Sequence, residues 1–397
     1  MTITPARAAE SQLTPLWSLA FRPFFLAAGL WAALALALWI ALFMTGRVLP
    51  SRFDPLAWHI HAMLFGFVPA AIAGFMLTAI PNWTGRTPIR GAALAGLVTL
   101  WLLGRIACLV SAYLPLWLAA AIDLAFPLAL CAVTAREIVA ARNWRNLMMP
   151  LPIGVLGIAN LLMYLELAGF DVPRGLGWRL AITAIIALIS AIGGRIIPAF
   201  TRNWLVNRGA SALPAAHSWI DSAALATLHT GLLGWTFFPA SRWIGALLLL
   251  SAACNLWRLA RWRGFVSVAE PLLAVLHLGY AWVVIGAALL GAALFGDAVP
   301  LAAAIHALTA GAIGTMVLAV MTRVARGHTG RTLEADRITT AIYLMITVAA
   351  LIRVAAEFAG AVSMNLLEVS AALWVASFGL FIVIYGRILI LPRDDVV

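Results

Sequence analysis

The chain has no lysine. All 26 basic residues are arginine, set against 15 acidic ones, for a formal net charge of +11. Charged residues of any kind fill only 10% of the 397 positions, where a soluble globular chain carries about a quarter. That shortage excludes a soluble enzyme and a disordered chain. Cysteine is scarce as well. Cys108, Cys131 and Cys254 lie in apolar stretches and form no CxxC. This excludes a zinc ribbon, a thioredoxin-type pair, a c-type haem attachment site and a disulfide scaffold. Each cysteine reads as a small buried hydrophobe. There is no polar stretch long enough for a soluble domain. Residues 1–20 are polar and mixed, and the first apolar run is long enough to span, so no cleavable signal peptide is expected.

What is present is apolar. Hydrophobic residues make up 64% of the chain, and the mean hydropathy is +1.01. A spanning helix needs about 20 mostly apolar residues. Twelve windows qualify: 22–45, 59–80, 92–113, 115–140, 147–169, 177–199, 217–238, 242–262, 270–295, 299–322, 338–360 and 366–391. They predict an all-α polytopic membrane protein of about twelve transmembrane helices. A cytoplasmic N-terminal segment over 1–20 precedes a single transmembrane domain over 21–395.

The arginines orient it. With the N-terminus inside, 19 fall on the cytoplasmic side, among them Arg7, Arg22, Arg145, Arg258 and Arg326. Only Arg47, Arg52, Arg174, Arg179 and Arg242 fall outside, and Arg105 and Arg353 lie within spans. Basic residues favour the cytoplasmic side, so both termini are expected there. The basic balance therefore indicates topology and no nucleic-acid partner.

The chain repeats itself. Thr-Gly-Arg-Thr stands at 84–87 and again at 329–332. An offset of 245 aligns helix 2 with helix 10 without gaps, and His61 falls on His306. Eight of the 27 positions from 61 to 87 are then identical. A weaker echo joins helix 2 to helix 6. Three pseudo-repeats of four helices follow, over 21–145, 146–266 and 267–395. Coincidence in an Ala/Leu-rich chain is the competing reading. The plan resembles the twelve-helix catalytic subunit of haem–copper oxidases. In that family, His residues on helices 2 and 10 hold a low-spin haem. Here helix 6 has no His and helix 7 no His pair, so the usual copper site of that family is missing.

Ionisable residues inside spans are candidate site residues, because burying them is costly. His61 and His306 are repeat-related and come from different helices at similar depth. That is what a bis-His, non-covalent b-type haem needs. His59 and Met63 are one turn apart and share a face suited to copper. His229 and His277 lie deeper, and His217 and His328 lie at the edges. A hydrogen-bonded packing role stays open for each of these histidines. Arg105 and Asp123 both lie about 12 Å deep, so an ion pair is expected. Arg105 is alternatively a partner for a haem propionate. Arg353, its repeat mate, is expected to act likewise beside Glu357.

At these residues the sequence resembles the NnrS family. The blocks that carry the resemblance include residues 21–25 (FRPFF), 58–66 (WHIHAMLFG), 74–86, 193–201 (GGRIIPAFT), 277–280 (HLGY), 306–309 and 327–331. The resemblance implies a haem- and copper-containing membrane protein of the bacterial response to nitric oxide, nitrosative stress and denitrification. It carries metal-ligand roles onto His59, His61, His277, His306 and His328, and leaves His229 outside. Where the family usually reads His-Glu-Met, this chain has His61-Ala62-Met63, so a carboxylate is missing. Nitric oxide and an unidentified electron donor are the implied partners, besides the bilayer. Whether the protein turns over nitric oxide as an oxidoreductase stays open, as do its catalytic residues and oligomeric state. The alternative is a transporter or metal-handling permease without haem.

Overall fold

The computed structural model describes residues 14–393 apart from Leu147. Residues 1–13 of the expected N-terminal segment, Arg7 among them, lie outside the described residues, as does the side chain of Arg145. Among the described residues there are twelve long helices and no strands. They are α1 (Phe21–Thr45), α2 (Pro55–Thr84), α3 (Ala92–Leu109), α4 (Leu116–Ala140), α5 (Leu151–Leu167) and α6 (Leu176–Val206). The chain continues with α7 (Trp219–Phe237), α8 (Arg242–Ala260), α9 (Pro271–Ala293), α10 (Leu301–His328), α11 (Arg337–Ala356) and α12 (Ser363–Ile390).

Each of the twelve apolar windows falls on one helix. Ten of the helices are long and apolar enough to cross a membrane. The other two are α5, with 17 residues, and α7, made more polar by Asp221, Thr227, His229 and Thr230. The protein is thus an all-helical, multi-pass membrane protein.

Local chemistry sets the helix ends. Asp54 accepts a hydrogen bond from Ala57 N at 2.9 Å, ahead of Pro55 in the first turn of α2, as an N-cap should. Ser218 and Asp221 form a capping box at the start of α7. The glycine of the first Thr-Gly-Arg-Thr, Gly85, ends α2 at φ +69°, where a side chain would be strained.

Two helices change pitch. Residues Ala62–Phe67 of α2 and Ala307–Gly314 of α10 are π-helical. Each segment begins directly after its repeat-related histidine, His61 or His306. In α2, Val68 N donates to Met63 O, five residues back. Such segments concentrate at functional sites.

The chain divides into two compact units. The first contains α1–α5, residues 321–332 at the end of α10, and α12 from Phe378 onward. Its hub is the Phe-Arg-Pro-Phe-Phe block. Phe21, Phe24 and Phe25 are fully buried, and Phe25 packs where α2 has only Gly74. Phe21 N donates to Thr78 Oγ1 at 3.1 Å. Arg22, expected at a cytoplasmic helix end as a topological charge, is buried instead. Its Nη1 donates to the carbonyls of Leu389 at 2.9 Å and Leu391 at 2.6 Å. Those carbonyls end a helix and have no intrahelical donor.

The second unit contains α6–α9, α10 up to Val320, α11, and α12 up to Ser377. Within it α8 and α9 pack closely through Gly245 and Gly291. A Cβ on either would stand 2.9 Å from the other's carbonyl oxygen. Small residues of this kind bring membrane helices together.

Candidate functional site

In the first unit, four helices converge on a buried polar cluster. α2 supplies His61, α3 supplies Arg105 and Cys108, α4 supplies Asp123, and α5 supplies Asn160 and Tyr164. None of the six is more than 3% exposed. The expected ion pair forms: Arg105 Nη2 donates to Asp123 Oδ1. The other carboxylate oxygen, Oδ2, accepts from Asn160 Nδ2 at 2.8 Å and from Tyr164 OH at 3.3 Å. It also lies 2.9 Å from His61 Nε2. Burying a carboxylate requires this degree of satisfaction.

The cluster fixes the tautomer of His61. Nε2 faces two acceptors, Asp123 Oδ2 and Asn160 Oδ1, each at 2.9 Å, so Nε2 carries the proton. Nδ1 then has a lone pair, and the Cys108 thiol donates to it at 3.3 Å. Phe53 and Phe65 flank the ring at 4.9 and 5.2 Å. The π-helical turn that follows is held by indoles. Trp31 Nε1 donates to Ala62 O at 2.8 Å, and Trp101 Nε1 donates to Gly66 O at 2.9 Å. Arg105 keeps two donors in reserve. Its Nε and Nη1 are buried with no acceptor, and Nη1 stands 2.9 Å from where a Cβ on Gly66 would lie.

The second unit holds its own cluster. Arg258, expected as a cytoplasmic charge, is 2% exposed and donates through Nε to Asp221 Oδ1 at 3.1 Å. Its Nη1 donates to Tyr280 OH at 2.7 Å, and Tyr280 passes a hydrogen bond to Asn255 Oδ1 at 2.7 Å. His229 Nε2 pairs with Ser190 Oγ at 2.8 Å. Arg353 Nη1 donates to Glu357 Oε1 at 2.5 Å, the pairing expected one turn apart.

His306 donates from Nδ1 to Ala302 O at 2.8 Å. A carbonyl can only accept, so the lone pair of His306 is on Nε2, the tautomer in which metal-bound histidines are usually held. His277 shares Nε2 with Thr201 Oγ1 at 2.9 Å, and its Nδ1 is buried without a partner. Gly264 covers that nitrogen so closely that a Cβ would stand 2.6 Å from it. The α9–α10 packing pairs Gly279 with Met316, Trp282 with Gly311 and Gly286 with Leu308. In that antiparallel register, His277 and His306 lie about 15 Å apart along the helices. They cannot be two axial ligands of one iron.

In the first unit, His59 stacks on Trp39 at 4.2 Å and His328 lies against Phe21 at 5.7 Å. Met63 is half-buried. Among the described residues, no group of three or more His, Cys, Asp or Glu is placed to hold a metal ion.

The fit of a haem and a copper follows from these positions. Both nitrogens of His61 are engaged by protein side chains, so His61 offers neither to iron. The expected bis-His pair therefore does not fit at His61, whereas the His306 tautomer does suit a metal. A copper centre with three such ligands does not fit the described residues.

Sequence reasoning missed Cys108, Asn160, Tyr164, Tyr280 and the burial of Arg258. Helical spacing could have found three of them. Cys108 is three residues past Arg105, and Tyr164 is four past Asn160, so each pair shares a face.

The family model described as NnrS protein matches residues 15–393. The chain belongs to the NnrS family. No curated protein matches it. The matched span covers nearly the whole chain, so it takes in both clusters, both π-helical segments and all seven histidines.

Proposed function

We propose that this protein serves the bacterial response to nitric oxide and nitrosative stress. It acts from within the inner membrane as a binder or redox processor of the gas. The observation that carries this reading is the NnrS match over residues 15–393. The architecture supports it. Nitric oxide is small and apolar and partitions into lipid, and ten of the helices are long and apolar enough to cross a membrane. The excess of arginine at one set of helix ends supports cytoplasmic termini, even with Arg22, Arg258 and Arg326 withdrawn into the fold.

A b-type haem would supply an iron able to coordinate nitric oxide. His306 is the residue whose tautomer suits holding it. His277, about 15 Å away, belongs to a different environment. Copper has only the family resemblance behind it.

The test is spectroscopic. The purified full-length protein is assayed for haem by pyridine haemochrome and for copper by metal analysis, then titrated with nitric oxide under argon. The expected result is bound haem whose Soret band shifts on nitric oxide addition. A folded protein that holds no haem and gives no spectral response overturns the reading in favour of a permease.

A further inference from the structure

Three buried side chains in the first unit stand in line: the Cys108 thiol, the His61 imidazole and the Asp123 carboxylate. Cys108 Sγ lies 3.3 Å from His61 Nδ1, and His61 Nε2 lies 2.9 Å from Asp123 Oδ2. A thiol on one imidazole nitrogen, with an acid or amide orienting the other, is how nucleophilic cysteines are built. Asn160 adds its amide oxygen to the same Nε2 at 2.9 Å. Arg105, Asn160 and Tyr164 hold Asp123 in place. A packing cysteine needs no such support.

A second observation points to a ligand. Arg105 Nε and Nη1 are buried donors without an acceptor, on a side chain 2% exposed. Arg105 lies one turn before Cys108 on the same face of α3, and its Nη1 faces the bare Cα of Gly66. An unmet guanidinium edge in a dry site suits a small anion.

We propose that Cys108 is a nucleophilic thiol that takes up a nitroso group from a small, lipid-soluble nitrosating electrophile such as dinitrogen trioxide. The choice of electrophile rests on the nitric oxide reading above; the thiol site does not. The Cys108 sulfur attacks the nitroso nitrogen of the anhydride and an S–N bond forms. The N–N bond to the nitro half breaks, and its electron pair leaves with nitrite. The thiol proton passes to His61 Nδ1, and Asp123 stabilises the imidazolium. The two nitrogens have the same total oxidation state before and after, so no external oxidant or reductant is needed. The departing nitrite meets the free edge of Arg105. S-nitrosylation is a reversible cap on a cysteine, so the site can store and return the group.

The three cysteines of the chain make the test internal. Cys108 is buried, while Cys131 and Cys254 are half-buried. The full-length protein is treated with nitric oxide in aerated buffer, and separately with the neutral thiol reagent N-ethylmaleimide. Occupancy at each cysteine is followed by mass spectrometry. Cys108 is expected to react about tenfold faster than the other two with both reagents, against the order of exposure. In His61→Gln, which has no basic nitrogen, Cys108 should slow by about tenfold while Cys131 and Cys254 keep their rates. Rates that follow exposure with both reagents overturn the site and leave the nitric oxide reading to its own test. An unchanged Cys108 rate in His61→Gln overturns the relay. If that variant fails to fold, the wild-type ranking decides. A Cys108 preference for N-ethylmaleimide without nitrosation overturns the electrophile, and counts against the nitric oxide reading and not the thiol.

Discussion

Gly194 faces Arg258 Nη2 with no room between them for a methyl group. The guanidinium cannot swing aside cheaply, because Asp221, Tyr280 and the Ser190 carbonyl all hold it. Gly194→Ala should therefore cost about 1–3 kcal/mol. Its neighbour Gly193 has only ordinary contacts at 3.5 Å or beyond. Gly193→Ala should be neutral or stabilise by about 0.5 kcal/mol through helix propensity. Thermal unfolding in detergent distinguishes the adjacent substitutions, and equal effects would contradict this packing.

The Arg105–Asp123 pair predicts non-additive energetics. Asp123→Asn leaves a buried guanidinium without its counter-charge and should destabilise by about 3–5 kcal/mol. Arg105→Leu leaves the carboxylate uncompensated at similar cost. The double variant Arg105→Leu/Asp123→Asn removes both charges and should be less destabilised than the sum of the single changes. A double-mutant cycle measures this, and simple additivity would show that the two charges do not interact.

The twelve helices were legible because hydropathy is a local property of the chain, and each apolar run folds as a helix wherever it packs. Arg105–Asp123 and Arg353–Glu357 were legible for a related reason. Depth along neighbouring helices, or spacing on one helix, already placed the partners together. Arg22 and Arg258 were misread because an arginine at a helix end looks the same whether it faces water or carbonyls. Their partners lie far along the chain. Cys108 was read as packing because its partner His61 is 47 residues away. The π-helical turns after His61 and His306 have no sequence signal that helical periodicity would reveal.

The two histidines of the sequence repeat should behave differently. His306→Ala should abolish bound haem, since its imidazole is oriented for a metal by Ala302 O. His61→Gln should retain haem, since its ring nitrogens serve Cys108, Asn160 and Asp123. Pyridine haemochrome measurements on both variants check this. Loss of haem from His61→Gln alone would reverse the assignment.

Topology gives a further prediction. A reporter that matures only in the cytoplasm should be active when fused after Val397 and silent when inserted in the loop between α1 and α2. The opposite pattern would show that the arginine bias has been read backwards.

Arg22 has a consequence for assembly in time. It enters the membrane with the first helix, yet its carbonyl partners at Leu389 and Leu391 are 367 and 369 residues later. Until α12 is made, this cation has no acceptor in the finished arrangement. A nascent chain must shelter it at the interface or with lipid phosphate. The last helix therefore acts as a clasp, and a chain truncated before α12 is expected to be cleared by proteolysis.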